Sequence, residues 1–225
     1  MVESFKDFGA VRVLRLVGDP TCPPHQAGQF AMLSFGEHPA RPYSIASAPN
    51  GKNLEFHIKG GGVGGSHFST TALKIGDKVL CSKIDGNYAY IASCPRPLFL
   101  IAGGTGLAPM LAMTEASLND NPARPIYLFY GGRVFSELYY HSNLQQLAQQ
   151  NSNLVYSPAL SDEKQGTIQY GLIGDIALCH DNLLKSRLYI AGSVDMVRNI
   201  IKAALAAGVS PDVIHSDYKE LTDKK

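Results

Sequence analysis

The sequence predicts two domains, an antiparallel β-barrel followed by an α/β domain with a doubly wound parallel sheet. In the first half, short candidate strands lie between glycine- and proline-rich turns, as in a small antiparallel barrel. In the second half, continuous apolar segments alternate with helical patterns, as in a buried parallel sheet. The two patterns meet at Cys94-Pro95-Arg96-Pro97, where two prolines prevent regular strand pairing. We therefore place the domains at residues 1–94 and 95–225.

The candidate strands of the first domain are short. Residues Val11–Leu16 alternate apolar and basic side chains, which favours a strand with one buried face. The turn Ile75-Gly76-Asp77 precedes the last candidate strand. The four predicted strands are 11–16, 30–35, 54–58 and 78–82.

Strands and helices alternate in the second domain. Residues Leu98–Ala102 form a continuous apolar run, which is typical of a strand buried on both faces. Ser136 is a candidate N-cap of a helix, and Gly208 is placed to end the last helix. The predicted strands are 98–102, 126–130, 154–157, 187–191 and 213–215, and the predicted helices are 107–118, 136–150 and 196–207.

Composition and charge exclude several functional classes. The 225 residues correspond to about 1.5 average domains, which is long enough to bury a core. The 20 basic and 19 acidic residues give a net charge of +1, which argues against a protein that binds nucleic acid through a strong overall charge. No pair of histidines has a metal-ligand spacing such as HxxxH, and we predict no metal site.

The cysteines and the apolar segments bear on the cellular compartment. The four cysteines, at 22, 81, 94 and 179, form no CxxC pair, so we expect reduced thiols rather than a disulfide framework or a metal cluster. The longest apolar runs have about five residues, whereas a membrane span needs about 18. The N-terminus lacks the apolar core of a signal peptide. We therefore expect a cytoplasmic protein without membrane insertion.

The most informative motif is the segment from Ile101 to Pro109, in which an apolar strand enters a glycine turn that opens a helix. The amide groups and the dipole at the start of that helix suit a phosphate or pyrophosphate. Gly104, Gly106 and Pro109 have the spacing of the dinucleotide fingerprint, but proline replaces its third glycine. The next strand ends in Tyr130-Gly131-Gly132-Arg133, without the usual ribose-binding acid. The segment thus predicts a nicotinamide cofactor bound in another manner, or a tight turn without a ligand.

Three further segments are weaker alone. In Arg41-Pro42-Tyr43-Ser44-Ile45-Ala46-Ser47, an anion-binding arginine shares a strand face with a flat ring, which suits a phosphorylated planar ligand or describes an ordinary strand. In Lys59-Gly60-Gly61-Gly62-Val63-Gly64-Gly65-Ser66, five glycines in six positions favour an anion-binding nest or a flexible hairpin loop. Tyr189–Met196 is another strand that ends in glycine before a helix.

Together, in this order and spacing, the four segments resemble the ferredoxin–NADP reductase superfamily over nearly the whole chain. The resemblance implies that Arg41 holds a flavin phosphate, that Tyr43 packs on the flavin, and that Ser44 forms a hydrogen bond near its reactive N5. Gln26–Phe30 is similar to the family's entry into the flavin barrel. The chain departs from the family at Ala191, where a cysteine is common, and in the additional glycines of the loop.

The resemblance also implies the remaining site residues. The loop glycines and Ser66 would bind flavin phosphate, the 103–109 segment would receive nicotinamide and pyrophosphate, and Tyr218 would cover the flavin. Ser44 and Thr105 are the predicted catalytic residues, approaching the two rings from opposite domains. The predicted cofactor-binding residues are Arg41, Pro42, Tyr43, Ser44, His57, Ile58, Gly64, Gly65, Ser66, Gly104, Thr105, Gly106, Pro109, Arg133, Gly192, Met196 and Tyr218.

The predicted activity is that of an NAD(P)H-dependent flavoprotein reductase. It would pass hydride from NADH or NADPH to FAD or FMN, and then electrons to a separate iron–sulfur protein or oxygenase. One alternative is a flavin reductase that releases reduced free flavin, and another is a non-enzymatic regulatory subunit that binds flavin or nucleotide. The choice between NADH and NADPH, the choice of flavin, the electron acceptor and the oligomeric state are not readable from the sequence.

Overall fold

The first domain contains two three-stranded antiparallel sheets. The computed structural model describes residues 1–18, 24–49, 53–86 and 88–218. One sheet has the order β1-β2-β5 and the other the order β4-β3-β6, and a bridge between Ile45 and Phe56 connects them. The strands are β1 (Val2–Phe8), β2 (Val11–Val17), β3 (Phe30–Ser34), β4 (Arg41–Ser44), β5 (Asn53–Lys59) and β6 (Leu80–Asp85).

The two sheets enclose a single apolar core. Strand β5 pairs along its whole length with β2, so that Leu14 lies opposite Phe56, and both side chains are fully buried. Leu33 on β3 and Ile45 after β4 enter the same core from the second sheet. Burial of these side chains provides the main favourable free energy of the domain.

The second domain is built on a six-stranded parallel sheet in the order β10-β9-β8-β7-β11-β12. The chain starts in the middle at β7, runs outward to β10, and returns to β11 on the other side of β7. The carboxyl ends of β7 and β11 therefore form the switch point at which such sheets bind ligands. The strands are β7 (Leu98–Gly103), β8 (Ile126–Gly132), β9 (Leu154–Leu160), β10 (Gln169–Tyr170), β11 (Arg187–Ala191) and β12 (Ile214–Ser216).

The helices begin and end largely where capping residues predict. Ser193 caps the last helix by accepting the amide of Met196, and Gly208, at φ +89, follows its end. The amides of Gly208 and Val209 bond to the carbonyls of Leu205 and Ala204, as in a Schellman motif. The helices are α1 (Gly65–Thr71), α2 (Leu107–Asp120), α3 (His141–Gln150), α4 (Ile173–Leu178) and α5 (Val194–Ala206).

One predicted helix start was wrong. Ser136 does not cap a helix but lies in a 3-10 turn, Phe135–Glu137, and α3 begins only at His141. Between them, Leu138 has a ψ of 52°, so the chain leaves helical geometry. Tyr139 and Tyr140 are thereby free to pack against Phe8 of the first domain, a tertiary contact that overrides the local pattern. The strand predicted at residues 78–82 is observed as β6, which begins two residues later and ends at Asp85.

The two domains share a packed junction. Tyr88 is buried in the core of the parallel sheet, and the amide of Tyr90 donates to the carbonyl of Ala27 at 2.8 Å. A β-carbon on Gly28 would lie 2.0 Å from the Tyr88 carbonyl oxygen, so the backbones touch there. The predicted combination of an antiparallel barrel and a doubly wound sheet is confirmed, while the boundary between residues 94 and 95 remains a prediction.

Within the described residues, the helices are all too short or too polar to cross a lipid bilayer.

Candidate active site

On the barrel side, β4 carries the predicted flavin residues. Arg41 is exposed, and its guanidinium makes no hydrogen bond or ion pair within the part of the chain that the structure describes. The Tyr43 hydroxyl lies 2.8 Å from Ser66 Oγ, and its ring meets Phe35 edge-on at 5.6 Å. The arginine motif and the glycine loop, 23 residues apart in sequence, are therefore side by side.

The glycine loop adopts backbone conformations that favour glycine. Gly61, Gly62 and Gly64 have φ values of +110°, +71° and +90°, and a β-carbon on any of them would meet no atom within 4 Å. The loop leads directly into α1, whose first amides have no carbonyl partner within the helix. The carbonyl of Ser66 accepts the hydroxyls of Ser69 and Thr70, which fixes the start of that helix.

On the sheet side, the glycines after β7 serve different purposes. Gly104 has a φ of +55°, and the position of its missing β-carbon is open. A β-carbon on Gly106 would instead lie 2.4 Å from the carbonyl oxygen of Ala191. Gly104 thus leaves space at the switch point, whereas Gly106 permits the 3-10 turn Gly104–Gly106 to pack on β11.

Met196 and Tyr218 lie on the β11 side of the switch point. The Met196 sulfur occupies the space over two glycines, 2.5 Å from where a β-carbon of Gly103 would be and 2.8 Å from that of Gly192. The Tyr218 hydroxyl donates to the carbonyl of Gly192 at 3.1 Å. This bond holds Tyr218 on the nucleotide domain. That Tyr218 covers a flavin remains a prediction.

The barrel and sheet sides meet. Strand β5 contacts the 3-10 turn Gly104–Gly106, and through the Ile45–Phe56 bridge β5 is joined to the residue that follows Ser44. Ser44 and Thr105 are both half-buried. Neither hydroxyl is hydrogen-bonded to another described residue, which leaves both groups available to a ligand.

Other predicted residues are already engaged within the protein. The His57 side chain is completely buried and the Ile58 side chain lies in the barrel core, so neither faces the surface. Arg133 is exposed and pairs with Glu137, whose Oε1 accepts from Arg133 Nη2 at 2.5 Å and from Nε at 3.1 Å. Pro109 is the third residue of α2 and is buried, and Pro42 is exposed on β4.

A buried polar network at the domain junction was not predicted. Glu55 Oε2 accepts the Arg15 guanidinium at 2.7 Å, and Oε1 lies 3.2 Å from His57 Nε2. Burial opposes the charge on Glu55, but the hydrogen bonds from His57 and Arg15 outweigh it and lower the pKa of this carboxyl. Glu55 and His57 are two positions apart on β5, so the sequence predicts that their side chains share one face of the strand. It does not predict the contact of His57 with Tyr139, which is 82 positions away.

Two surface hollows lie away from the predicted cofactor residues. The hollows, of about 260 and 200 Å³, are lined mainly by α3, and none of the predicted cofactor residues lines them. No group of three or more potential metal ligands occurs within the described residues.

Comparisons with known proteins define the class of this molecule. Residues 100–202 match the family described as Oxidoreductase NAD-binding domain. A Vibrio harveyi protein named as a probable flavin reductase is 33% identical over 184 residues, which cover 76% of this chain and 77% of that protein. With its barrel and its parallel sheet, the molecule has the two-domain architecture of such reductases. The chain belongs to the ferredoxin–NADP reductase superfamily.

Two further relatives are longer than this chain. The ferredoxin–NAD(P)(+) reductase component of the naphthalene 1,2-dioxygenase/salicylate 5-hydroxylase systems of Ralstonia sp is 31% identical over 195 residues. That match covers 84% of this chain but only 59% of the relative. The crystal structure of an Amycolatopsis cytochrome P450 reductase superposes with a TM-score of 0.88 at 27% identity, covering 96% of this chain and 67% of that one.

Proposed function

We propose that this protein is an NAD(P)H-dependent flavoprotein reductase that transfers electrons to a separate iron–sulfur protein or oxygenase. The observation that carries the proposal is the contact between β5 of the barrel and the glycine turn at the switch point of the sheet. This contact brings a site suited to a phosphorylated planar ligand and a site suited to a nucleotide to one surface. The names of the dioxygenase reductase relatives support the choice of acceptor.

The residues of the barrel side fit a flavin. Arg41 offers a phosphate a guanidinium that is unpaired among the described residues, and the open loop at Gly64 lets a phosphate approach the backbone amides of Gly65 and Ser66. The hydrogen bond between Tyr43 and Ser66 holds the tyrosine ring next to that loop. Neither FAD nor FMN is favoured by these residues.

The residues of the sheet side fit a nicotinamide nucleotide. The empty space at Gly104 and the start of α2 suit a pyrophosphate, which the amides and dipole of the helix attract. Met196 would form an apolar wall of this site. Because Arg133 is already paired with Glu137, it gives no reason to prefer NADPH to NADH.

In this proposal the protein binds and orients the reacting rings. A bound flavin supplies the hydride acceptor and the reduced nicotinamide supplies the hydride. Ser44 would donate or accept a hydrogen bond at the flavin edge, and Thr105 would position the nicotinamide from the opposite domain. The rate therefore depends on how accurately the two domains are held together.

A flavin reductase that releases reduced flavin is the second candidate. The match to the probable flavin reductase of Vibrio harveyi favours it, because that match covers a larger share of the relative than the dioxygenase matches do. A cytoplasmic location agrees with both candidates. The domain assignment, residues 1–94 for flavin and 95–225 for NAD(P), is part of the same proposal.

An anaerobic absorption spectrum tests the proposal. The purified protein is recorded before and after the addition of NADH or NADPH, and again after a ferredoxin is added. Bound flavin that bleaches with nucleotide and reoxidises with ferredoxin supports the first candidate. Colourless protein that reduces added free flavin supports the second. Protein that neither binds nor reduces flavin contradicts both.

A further inference from the structure

Glu137 is held in place just after the carboxyl end of β8, beside Arg133. Its amide donates to the carbonyl of Val134 at 3.0 Å, and its carbonyl accepts the hydroxyl of Tyr130 at 3.1 Å. A β-carbon on Gly132 would lie 3.2 Å from that of Glu137, so the absence of a side chain there lets Glu137 pack on the strand. The Glu137 side chain is 27% exposed, whereas that of Arg133 is 70% exposed. The carboxylate is therefore the fixed partner of this ion pair.

Arg133 binds this carboxylate through both its backbone and its side chain. The Arg133 amide donates to Glu137 Oε2 at 2.9 Å, and the guanidinium Nη2 and Nε donate to Oε1 at 2.5 and 3.1 Å. These bonds and the charge of Arg133 outweigh burial and lower the pKa of Glu137, with a further contribution from Lys59, so the carboxylate is ionised at neutral pH. One edge of the guanidinium, the kind of edge that binds phosphate, is therefore occupied by a carboxylate.

A second carboxylate, that of Asp162, also acts on Arg133. The amide of Asp162 donates to the carbonyl of Arg133 at 2.9 Å, which places the two residues side by side where β8 and β9 end. Asp162 is exposed, and its carboxylate accepts the hydroxyl of the neighbouring Ser161. The carboxylates of Glu137 and Asp162 offset the charges of Arg133 and Lys59. This end of the sheet therefore offers no net positive charge to a phosphate.

Arg133 lies where the adenosine ribose of a bound nucleotide would be. Gly103, at the end of β7, pairs with Gly131 on β8, so Arg133 comes two residues after the position beside the glycine turn. In doubly wound sheets the pyrophosphate lies at the start of the helix after the first strand, and the ribose lies near the end of the next strand. There a carboxylate accepts the ribose hydroxyl of NADH, or an arginine binds the 2′-phosphate of NADPH. The carboxylates at this position come from Glu137 and Asp162, which follow β8 in the chain.

We propose that Glu137 makes the protein selective for NADH over NADPH by occupying Arg133, and that Asp162 adds a second negative charge against a 2′-phosphate. The inference rests on the proposed reductase function and names its reductant. The 2′-hydroxyl of NADH donates a hydrogen bond to a carboxylate, whereas the 2′-phosphate of NADPH must displace Glu137 from Arg133 and approach Asp162. Glu137 is thus a specificity-determining residue.

Binding and turnover are measured separately on the wild-type protein with FAD added. Calorimetric titration with NAD⁺ and NADP⁺ gives the two affinities, and anaerobic stopped-flow reduction by NADH and NADPH gives the KM and the maximal rate for each. We expect a preference for NADH of about tenfold, expressed in KM rather than in the maximal rate. Equal use of both nucleotides, or a preference for NADPH, overturns the inference but leaves the proposed reductase intact. Preferential binding of NAD⁺ without flavin reduction contradicts only the proposed function.

The variant Glu137→Gln releases Arg133 while keeping the side-chain size. We expect the KM for NADPH to fall about tenfold and that for NADH to change less than about twofold, whereas a purely structural effect would move both alike. The double variant Glu137→Gln/Arg133→Met should lose the gain. Asp212→Asn, which neutralises an exposed carboxylate near Arg96 and Arg187 at the amino end of the sheet, is the matched control. A folded Glu137→Gln protein with an unchanged KM for NADPH overturns the inference.

If circular dichroism shows that Glu137→Gln is unfolded, competition on the wild-type protein tests the same point. Adenosine 5′-monophosphate and adenosine 2′,5′-bisphosphate differ only in the 2′-phosphate, and each is used as an inhibitor against NADH. We expect the bisphosphate to compete no better than the monophosphate. A bisphosphate that binds about tenfold more tightly would show that Arg133 accepts a phosphate in spite of Glu137, and the inference would then be wrong.

Discussion

The imidazole Nδ1 of His57 lies 2.7 Å from the hydroxyl of Tyr139, and this hydrogen bond joins the barrel to the nucleotide domain. Glu55 faces the other ring nitrogen at 3.2 Å. Because a carboxylate only accepts hydrogen bonds, Nε2 carries a proton and donates to Glu55, while Nδ1 bonds to the Tyr139 hydroxyl. Arg15 completes the series by pairing with Glu55. The domain junction therefore depends on a fully paired polar network.

Replacing Tyr139 by phenylalanine should weaken this junction. The change leaves the buried Nδ1 of His57 without a partner, which costs about 1–3 kcal/mol of unfolding free energy. Tyr140→Phe is the matched control, because the ring of Tyr140 also packs on His57 but its hydroxyl has no hydrogen-bond partner among the described residues. Urea denaturation measures both variants. Equal losses in the two would show that the hydrogen bond is unimportant.

Much of the fold was predictable because burial determines it. Strand β7 and, after Arg187, strand β11 are apolar runs buried in the sheet, and Ser193 and Gly208 delimit α5 through local hydrogen bonds. Strand β1 was missed, because Val2–Phe8 contains charged residues and only Val2 is fully buried. Helix α1 was not predicted, because the glycines that precede it favour a loop.

For the site, the sequence predicted the local motifs but not the contacts that these motifs make with distant parts of the chain. The spacing could not distinguish Gly104, which leaves open space, from Gly106, which packs against Ala191. The partnership of His57 with Tyr139 joins residues 82 positions apart, so no local pattern contains it. His57, one of the predicted cofactor residues, has a buried side chain that contacts the other domain through Tyr139.

Arg41→Ala should weaken flavin binding. The variant loses a guanidinium that has no other partner within the described residues, and a charge-assisted hydrogen bond contributes about 1.5–3 kcal/mol, or about ten- to a hundredfold in affinity. Fluorescence titration with flavin measures the change. Arg198→Ala, an exposed arginine paired with Asp195 on α5, is the control and should bind as the wild type does. Unchanged affinity in Arg41→Ala would remove this residue from the site.

Ser44→Ala should slow flavin reduction while flavin stays bound. The hydroxyl has no described partner in the protein, so its loss affects only a bound ligand. Loss of one hydrogen bond at the reacting ring lowers the rate by about tenfold, equivalent to about 1.4 kcal/mol. Stopped-flow absorbance under anaerobic conditions measures the rate. A wild-type rate with full flavin content would show that Ser44 has no part in hydride transfer.

Alanine substitutions at Gly104 and Gly106 should have different effects. Gly106→Ala places a methyl group 2.4 Å from the Ala191 carbonyl oxygen and should lower the melting temperature markedly. Gly104→Ala meets no atom of the protein, so its cost is limited to the positive φ, about 1–2 kcal/mol. Its methyl group would enter the proposed nucleotide site and raise KM for NADH or NADPH. A Gly104→Ala protein with unchanged KM would place the nucleotide elsewhere.

His215 should make stability depend on pH. Burial, aided by the charge of Arg187 and opposed by Asp212, lowers the pKa of His215 to about 4 from its ordinary value of 6.5. Between these values the unfolded chain binds a proton that the folded protein does not, so the stabilisation is complete above pH 6.5 and is lost as the pH falls to about 4. His215→Phe preserves a ring against Tyr189 and removes this titration.

Urea denaturation across this pH range measures the effect, with the exposed His67→Phe as control. We expect the unfolding free energy of His215→Phe to fall less steeply with acid than that of the wild type, while His67→Phe follows the wild type. Other groups also act in this range: burial lowers the pKa of His141, which adds to the loss of stability in acid, and raises the pKa of Asp217 to about 7, which opposes it. If His215→Phe retains the full wild-type slope, then the acid sensitivity arises from His141 and the carboxylates rather than from the ring stacked on Tyr189.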